Sequence, residues 1–433
     1  MVMQTIKSRS PIVPFRAKEN VLSFKYMKLL RMYVWALGLW PDDEFGKKKP
    51  IMTRIHKNYY ISQGVILFVG QFYFMLKYFD TMNFFLKGYN YLLILFTFLT
   101  WMRVIITTQK AYGAIVKTFV NTLHLAHRKL YGEYEKQIYN TIEKVSYIFT
   151  IIITIIAIMA VIFFCTAPIY LNYKNGFFSG EETENSTYNC IVCFTVPKII
   201  DTHDYSLVST IYTIYLSYVC SISVCGVDIL LTLMAIQLIG NILVLRNRLD
   251  TISASKHISE KETFEDTQST THIAFNEEEN KIIHGKLVDC IKHHTVIIMF
   301  AEMMSEFFGP VLGVTYGFHL TACCLLLLEC GVGTEAIFRF APVTSIIFGQ
   351  LILLSVVFEI VATVSEKLPN SVYFTPWYRM DTRNRRTVCI MLVRAQRPIT
   401  VTALGLTNVG VTTMAQILKT TASYYALLNS IGN

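Results

Sequence analysis

Seven apolar stretches alternate with polar, charged segments along this chain, at roughly 59–79, 88–108, 147–170, 206–240, 296–328, 336–363 and 400–431. A helix needs about 20 predominantly apolar residues to cross a bilayer core, and most of these stretches have that length. The pattern predicts an all-α membrane protein with seven transmembrane helices in one domain, 1–433. Between the stretches the pattern keeps a helical period. Phe24–Leu39 spaces aromatics and aliphatics helically around Lys25, Lys28 and Arg31, an amphipathic pattern suited to the inner membrane surface. Val116, Val120, Leu123 and Leu130 recur at helical spacing, so the second and third helices are expected to continue past the bilayer. The fourth is expected to do the same through Leu243, Leu245 and Leu249, before 251–281 turns to Ser, Thr, Glu and Lys, a disordered composition. No internal repeat is visible, which leaves an inverted-repeat transporter unsupported.

Charge sets the expected topology. Of 39 Lys and Arg, 12 precede the first stretch, and 7 each lie at Arg103–Lys144, Arg246–Lys292 and Lys367–Arg397. These 33 share one side if the N-terminus is cytoplasmic, the side where short-loop basic residues accumulate. The prediction is a cytoplasmic 1–58, an extracellular loop 171–205, a cytoplasmic loop 246–295, a cytoplasmic anchor helix within 365–399, and a last span 400–431 ending outside. This is opposite to a G-protein-coupled receptor, and neither the Asp-Arg-Tyr nor the Asn-Pro-x-x-Tyr element of that family is present. The first 20 residues contain no apolar run of roughly 7–15 residues, so the first span is expected to serve as the insertion signal. Topology also explains the net charge of +9: the basic residues flank helices, form no patch, and give no reason to expect nucleic acid.

The predicted outer loop has an acidic balance and carries Asn185-Ser186-Thr187, a glycosylation acceptor only on the extracellular side. Cys190 and Cys193 share it, where a disulfide could persist; both remain open between bonded and free. Cys220, Cys225, Cys323 and Cys324 lie in apolar runs, where a thiol acts as a small hydrophobe.

Catalytic patterns are missing: there is no His-Glu-x-x-His, phosphate-cradling loop or nucleophile elbow. His284, Asp289, Cys290, His293 and His294 are the nearest approach to a metal cluster, but they flank Lys286 and Lys292 at a membrane boundary, where packing is the favoured reading; no metal or other cofactor is expected. Intramembrane Arg103, Asp228, Glu302, Glu306 and Glu359 are functional candidates because lipid exposure of charge is costly. They keep open a proton-coupled carrier built on Glu302, Glu306 and Asp228.

The last stretch, from Val401, is rich in Ser, Thr, Asn, Gly and Ala, with Lys419 in mid-span. Such a composition suits close helix packing or a wet pore without fixed charge. Leu427 and Leu428 form an apolar step before Asn429 and Ser430, a pattern that can gate by dewetting. Aromatics crowd the outer halves of the predicted helices: Tyr89, Tyr91, Phe163, Phe164, Tyr212, Tyr215, Tyr218, Phe338, Phe340 and Phe348. Interfacial belts account for some; a ligand pocket completed by Met159 and Thr344 accounts for the rest. Tyrosines beside phenylalanines point to an apolar ligand with one hydrogen-bond acceptor, such as an ester, aldehyde or ketone, though alcohols fit as well.

The segment 365–399 is too charged to cross lipid and too apolar for a plain loop. Pro369 and Pro376 bound Ser371–Tyr378, and Arg379–Arg397 sets six arginines around Val388, Ile390, Met391, Leu392 and Val393. Tyr373, Trp377 and Arg385 are expected at a buried interface between subunits, where Trp and Arg are favoured anchors. Pro398 is expected to end this helix, with the last span beginning at once.

Three blocks resemble the insect odorant receptors: Cys290–Phe300 with its paired histidines, Ser371–Pro398 with Tyr, Trp, basic residues and a Gln-basic-Pro ending, and Ile417–Ser430. With the seven-helix layout the likeness covers essentially the whole chain. The gustatory receptors usually end in a Thr-Tyr and Gln-Phe pattern that Ser423-Tyr424 and Asn429-Ser430 do not follow. The shared co-receptor has a longer loop between helices 4 and 5 and another C-terminal motif, so the chain looks like a ligand-tuned subunit. The resemblance implies an odorant-gated non-selective cation channel, a heterotetramer with the co-receptor in the plasma membrane of a sensory neuron. It also implies a volatile ligand held among helices 2, 3, 4 and 6, a pore lined by the last helix, a gate at Leu427 and a polar neighbour at Ser430. A membrane carrier or a gustatory channel are the alternatives.

Overall fold

The computed structural model describes residues 20–46, 48, 51–82, 84–178, 190–195, 206–253, 274–331 and 334–432. The acceptor Asn185 and the Ser/Thr-rich centre of 251–281 lie outside them. Among the described residues, six helices are long and apolar enough to span a membrane: α2 (Ile51–Tyr78), α3 (Phe84–Ile106), α5 (Gly132–Lys174), α6 (Ser206–Ser253), α7 (Glu277–Cys330) and α8 (Thr334–Glu366). The seventh, α11 (Val411–Gly432), has the length, but Lys419, Gln416 and its hydroxylated residues keep it out of that apolar set. A chain this apolar, with a mean hydropathy of +0.42, buries little of itself where lipid covers it. The most apolar window of α5 is only 17% buried, whereas that of α6 is 78% buried. Helix α6 is therefore the central post, with α3, α5, α7 and α8 packed around it.

The main core lies at the end of the bundle where α5, α6 and α7 run past the bilayer-length stretches. There the shorter helices α1 (Lys25–Ala36), α4 (Lys110–Thr118), α9 (Leu368–Tyr373) and α10 (Thr382–Ala395) pack in. The expected continuations of the third and fourth helices are present in α5 and α6. The second is not continuous: α3 ends at Ile106, and α4 leads into a π-helical turn, Phe119–Leu123. Val116, Val120, Leu123 and Leu130 are all buried nonetheless. Helix α1 differs more. Its apolar face (Tyr26, Met27, Leu30, Val34) packs on α5 and α6, so protein and not lipid covers it.

Local chemistry fixes the joints at this end. Asn276 and Glu279 cap the start of α7 reciprocally, and Asp381 accepts from the Asn384 N–H at the start of α10. Arg248 of α6 pairs with Glu135 of α5 at 3.1 Å. The last span does not begin directly after Pro398. Residues 402–408 form a β-hairpin, β1 (Thr402–Ala403) against β2 (Thr407–Asn408), whose turn holds Leu404 at φ 54°. The hairpin lies on α7 where Gly309 and Gly313 leave room; a Cβ on Gly313 would meet the Leu404 side chain. Beyond it, Glu359 of α8 accepts the Val411 N–H at 3.0 Å and caps the otherwise orphaned start of α11.

Candidate functional site

A cavity of about 160 Å³ lies inside the bundle between α3, α5, α6, α7 and α8, in the half opposite α9 and α10. Its wall is mostly aliphatic: Leu92, Leu93 and Phe96 from α3, Ala157, Ala160 and Phe164 from α5, Phe318 from α7, Ile347 and Leu354 from α8. Helix α6 contributes Ser217, Ser221, Val224, Cys225, Asp228 and Thr232, one stripe at helical spacing. An engineered apolar cavity of roughly 150 Å³ in another protein admits benzene, so this space fits a body about one ring in size.

The floor is polar and tightly held. Arg103, 1% exposed, donates to Asp228 at 2.8 Å, to the Val224 carbonyl at 3.1 Å and to the Thr315 hydroxyl at 3.2 Å. The Gln350 amide N–H donates to the other Asp228 oxygen. Four helices thus meet in one knot around a buried ion pair. Removing one partner from such a pair strands a charge.

The residues singled out from the sequence separate into groups here. Phe164 lines the cavity. Tyr89 and Phe340 pack together at 5.7 Å in the aromatic layer next to it, where Thr344 is also buried. The Tyr89 hydroxyl donates to the Ile191 carbonyl, tying down the buried 190–195 segment. Tyr212 packs on Phe194 of that segment and stacks on Tyr215, which reaches Tyr59 and Tyr60 of α2 instead of the cavity. Phe348 is half-buried beside the lining residue Ile347. Tyr91, Met159 and Phe163 are exposed on the surfaces of α3 and α5 and do not line the cavity, and Tyr218 is exposed on α6. The side chain of Phe338 lies outside the described residues. Sequence reading by aromatics passed over the aliphatic wall. The signal was the spacing of Ser217, Ser221, Cys225, Asp228 and Thr232, a small and polar stripe down an apolar helix.

The histidines do not converge. His284 bonds Asn384, His293 bonds Asn241, and His294 borders a groove with Glu302 and Arg394. Among the described residues no group of three His, Cys, Asp or Glu could hold a metal. Glu302 pairs with Arg394 at 2.9 Å on an open surface.

Two further regions bear exposed groups. Tyr373, Phe374, Trp377 and Tyr378 are exposed after α8, with Ile390 and Val393 exposed on α10. Arg385 is exposed as well, and its guanidinium donates to the Met380 and Tyr378 carbonyls at 2.7 and 3.0 Å, stiffening the turn that carries Trp377. On α11, Ile417 and Thr421 pack inward, while Thr412, Gln416, Lys419, Ser423, Leu427 and Ser430 are exposed along the opposite face. The Ser430 hydroxyl donates to the Leu427 carbonyl at 2.6 Å; the Asn429 side chain lies outside the described residues.

Fold and site define a multi-pass membrane receptor of the seven-helix odorant-receptor architecture. The chain belongs to the 7tm odorant receptor family, whose profile matches residues 81–422. It is 24% identical over 169 residues to Odorant receptor 22c and 22% identical over 147 residues to Odorant receptor 43b, both of Drosophila melanogaster. These matches cover 39% and 34% of this chain and 42% and 36% of the relatives, so the chain spans about two fifths of the curated relatives it matches. The structure of the insect olfactory receptor OR5 from Machilis hrabei superposes with a TM-score of 0.73 at 13% identity, covering 93% of this chain and 98% of that one. The same receptor in complex with eugenol gives a TM-score of 0.71 at 12% identity, covering 94% of this chain and 99% of that one.

Proposed function

We propose that the protein is the ligand-binding subunit of an odorant-gated, non-selective cation channel, working as a heterotetramer with the odorant receptor co-receptor. It sits in the plasma membrane of a sensory neuron with its N-terminus inside. The observation that carries the channel reading is the exposed face of α11. A membrane-length helix cannot present Gln416, Lys419 and Ser423 to lipid at tolerable cost, but it can present them to a water-filled pore. The volatile ligand occupies the cavity between α3, α5, α6, α7 and α8, one helix layer away from that face. Tyr373, Trp377 and the α10 surface hold subunits together, where exposed aromatics are otherwise unfavourable.

The carrier reading is the weaker one. Asp228 is held by Arg103 and Gln350, and Glu302 is exposed and paired with Arg394, so both carboxylates are already engaged. Co-expression with the co-receptor and recording under an odorant panel tests the proposal. The expected result is a saturable, odorant-evoked cation current that Ala157→Phe, which fills the cavity, abolishes. Saturable substrate uptake without channel conductance overturns it.

A further inference from the structure

Two hydroxyls on the cavity wall have spent their protons elsewhere. The Ser217 hydroxyl donates to the Thr213 carbonyl at 2.9 Å, and the Ser221 hydroxyl donates across to the Ala157 carbonyl of α5 at 3.1 Å. Both therefore offer only oxygen lone pairs to the interior. The Asp228 carboxylate, paired with Arg103 at 2.8 Å, is an acceptor with about four lone-pair sites, of which Arg103 and Gln350 occupy one on each oxygen. That contact also settles the Gln350 amide. A carboxylate accepts only, so the nitrogen must face Asp228 and Oε1 must turn the other way. Arg103 supplies the strong donors of the knot, yet it does not line the cavity. What remains to donate is the second N–H of Gln350 and the hydroxyl of Thr232, one turn below Asp228.

We infer that the ligand recognised here is a compact hydrogen-bond donor, an alcohol, phenol or amine, whose O–H or N–H is received at the cavity floor by Gln350 and Asp228. This rests on the cavity being the odorant site. It selects among the ligand classes that the sequence left open, and it selects against the ester, aldehyde or ketone. A carbonyl oxygen placed against this floor would face the Asp228 carboxylate, with only the second Gln350 N–H and the Thr232 hydroxyl left to donate to it; a hydroxyl would bond to the carboxylate itself. A bond to a charged acceptor in a dry site is worth at least about tenfold in affinity.

The test uses matched pairs no larger than about one ring or an eight-carbon chain: each alcohol or phenol against its methyl ether and the corresponding ketone, with primary amines added. Currents are recorded from the receptor co-expressed with its co-receptor. The expected result is half-activation by the donor at concentrations at least about tenfold below its ether. The donor-to-ether ratio in Gln350→Met should fall severalfold while ether responses persist. Ser221→Ala, a milder change, should lower the ratio less. Because the ratio is internal to each variant, reduced expression does not move it. Ethers or ketones that match their alcohols, an unchanged ratio in Gln350→Met, or a panel in which no donor acts would each overturn the inference. If Ala157→Phe silences all responses while ethers equal alcohols, only the donor rule fails. If Ala157→Phe leaves the responses intact, the cavity assignment fails and takes the rule with it.

Discussion

At the scale of single residues, the decisive feature is that charge inside the bundle is paired. Arg103 and Asp228 attract strongly across 2.8 Å because little water reaches them. Arg103→Met alone leaves a carboxylate in an apolar bundle and should cost roughly 3–5 kcal/mol. The double variant Arg103→Met with Asp228→Leu removes both charges and should recover most of that loss, read as surface expression and as Tm of the detergent-purified receptor. Equal loss in single and double variants would mean that the pair is not the source of stability. His124 is buried outside the membrane-spanning segments, and its geometry keeps it neutral. Its Nδ1 accepts the Ala126 N–H at 3.2 Å, and its Nε2 lies 2.8 Å from the Tyr26 hydroxyl, which donates to Glu143. Glu143 at 3.8 Å would favour protonation, but burial and then His127 dominate, and the imidazole is lowered from 6.5 to about 3. The unfolded chain takes up this proton below about pH 6.5 and the folded one does not, so the stabilisation is full above that pH and drains away between 6.5 and 3. Expected is a Tm that falls from pH 7.5 to 5, by up to roughly 1.4 kcal/mol per pH unit. His124→Gln should flatten that fall, and an equal slope in the variant would refute the assignment.

At the scale of elements, helix α1 separates two readings of one pattern. An amphipathic helix at a membrane surface tolerates a shortened side chain; one whose stripe fills a protein core does not. Leu30 is fully buried against α5 and α6, so Leu30→Ala should cost about 2–5 kcal/mol in detergent, where no bilayer surface remains. A Tm within a degree of wild type would return α1 to the lipid surface. This is also where legibility ended. The six long spans were readable because a bilayer demands long apolar runs. Periodicity declares that α1 has an apolar face; it does not say whether lipid or Tyr26's neighbours on α5 and α6 cover it. The hairpin at 402–408 was invisible for another reason. Leucine is disfavoured at positive φ, so nothing in Thr-Ala-Leu-Gly-Leu-Thr marked Leu404 as a turn, and the run merged with α11. The cavity was half legible: its layer of aromatics stood out, and its wall of alanines, leucines and serines did not, because small side chains announce absence of volume only once helices are packed.

For the whole molecule, the exposed surfaces of one chain describe what it lacks. The hydroxylated face of α11 is unsuited to lipid, and the exposed aromatic segment Tyr373–Tyr378 is unsuited to water. In the proposed channel, assembly around α11 would answer the first problem and contact between these aromatic segments the second. In such an assembly Leu427, 53% exposed in the single chain, meets its counterparts at one end of the pore. Closed, a leucine ring excludes water and so raises a barrier to ions; open, the ring withdraws and Ser430 and Gln416 face the path. Leu427→Ser should then raise resting current or alter ion selectivity while leaving the ranking of odorants untouched, because the cavity is built from α3, α5, α6, α7 and α8 and takes nothing from α11. In the proposed heterotetramer the co-receptor would supply the rest of the ring, so the change should be partial. Cysteines introduced one at a time from 426 to 430 provide the check. A thiol reagent applied from outside should block current at those positions that share a helix face and spare the rest. Uniform insensitivity would remove α11 from the pore.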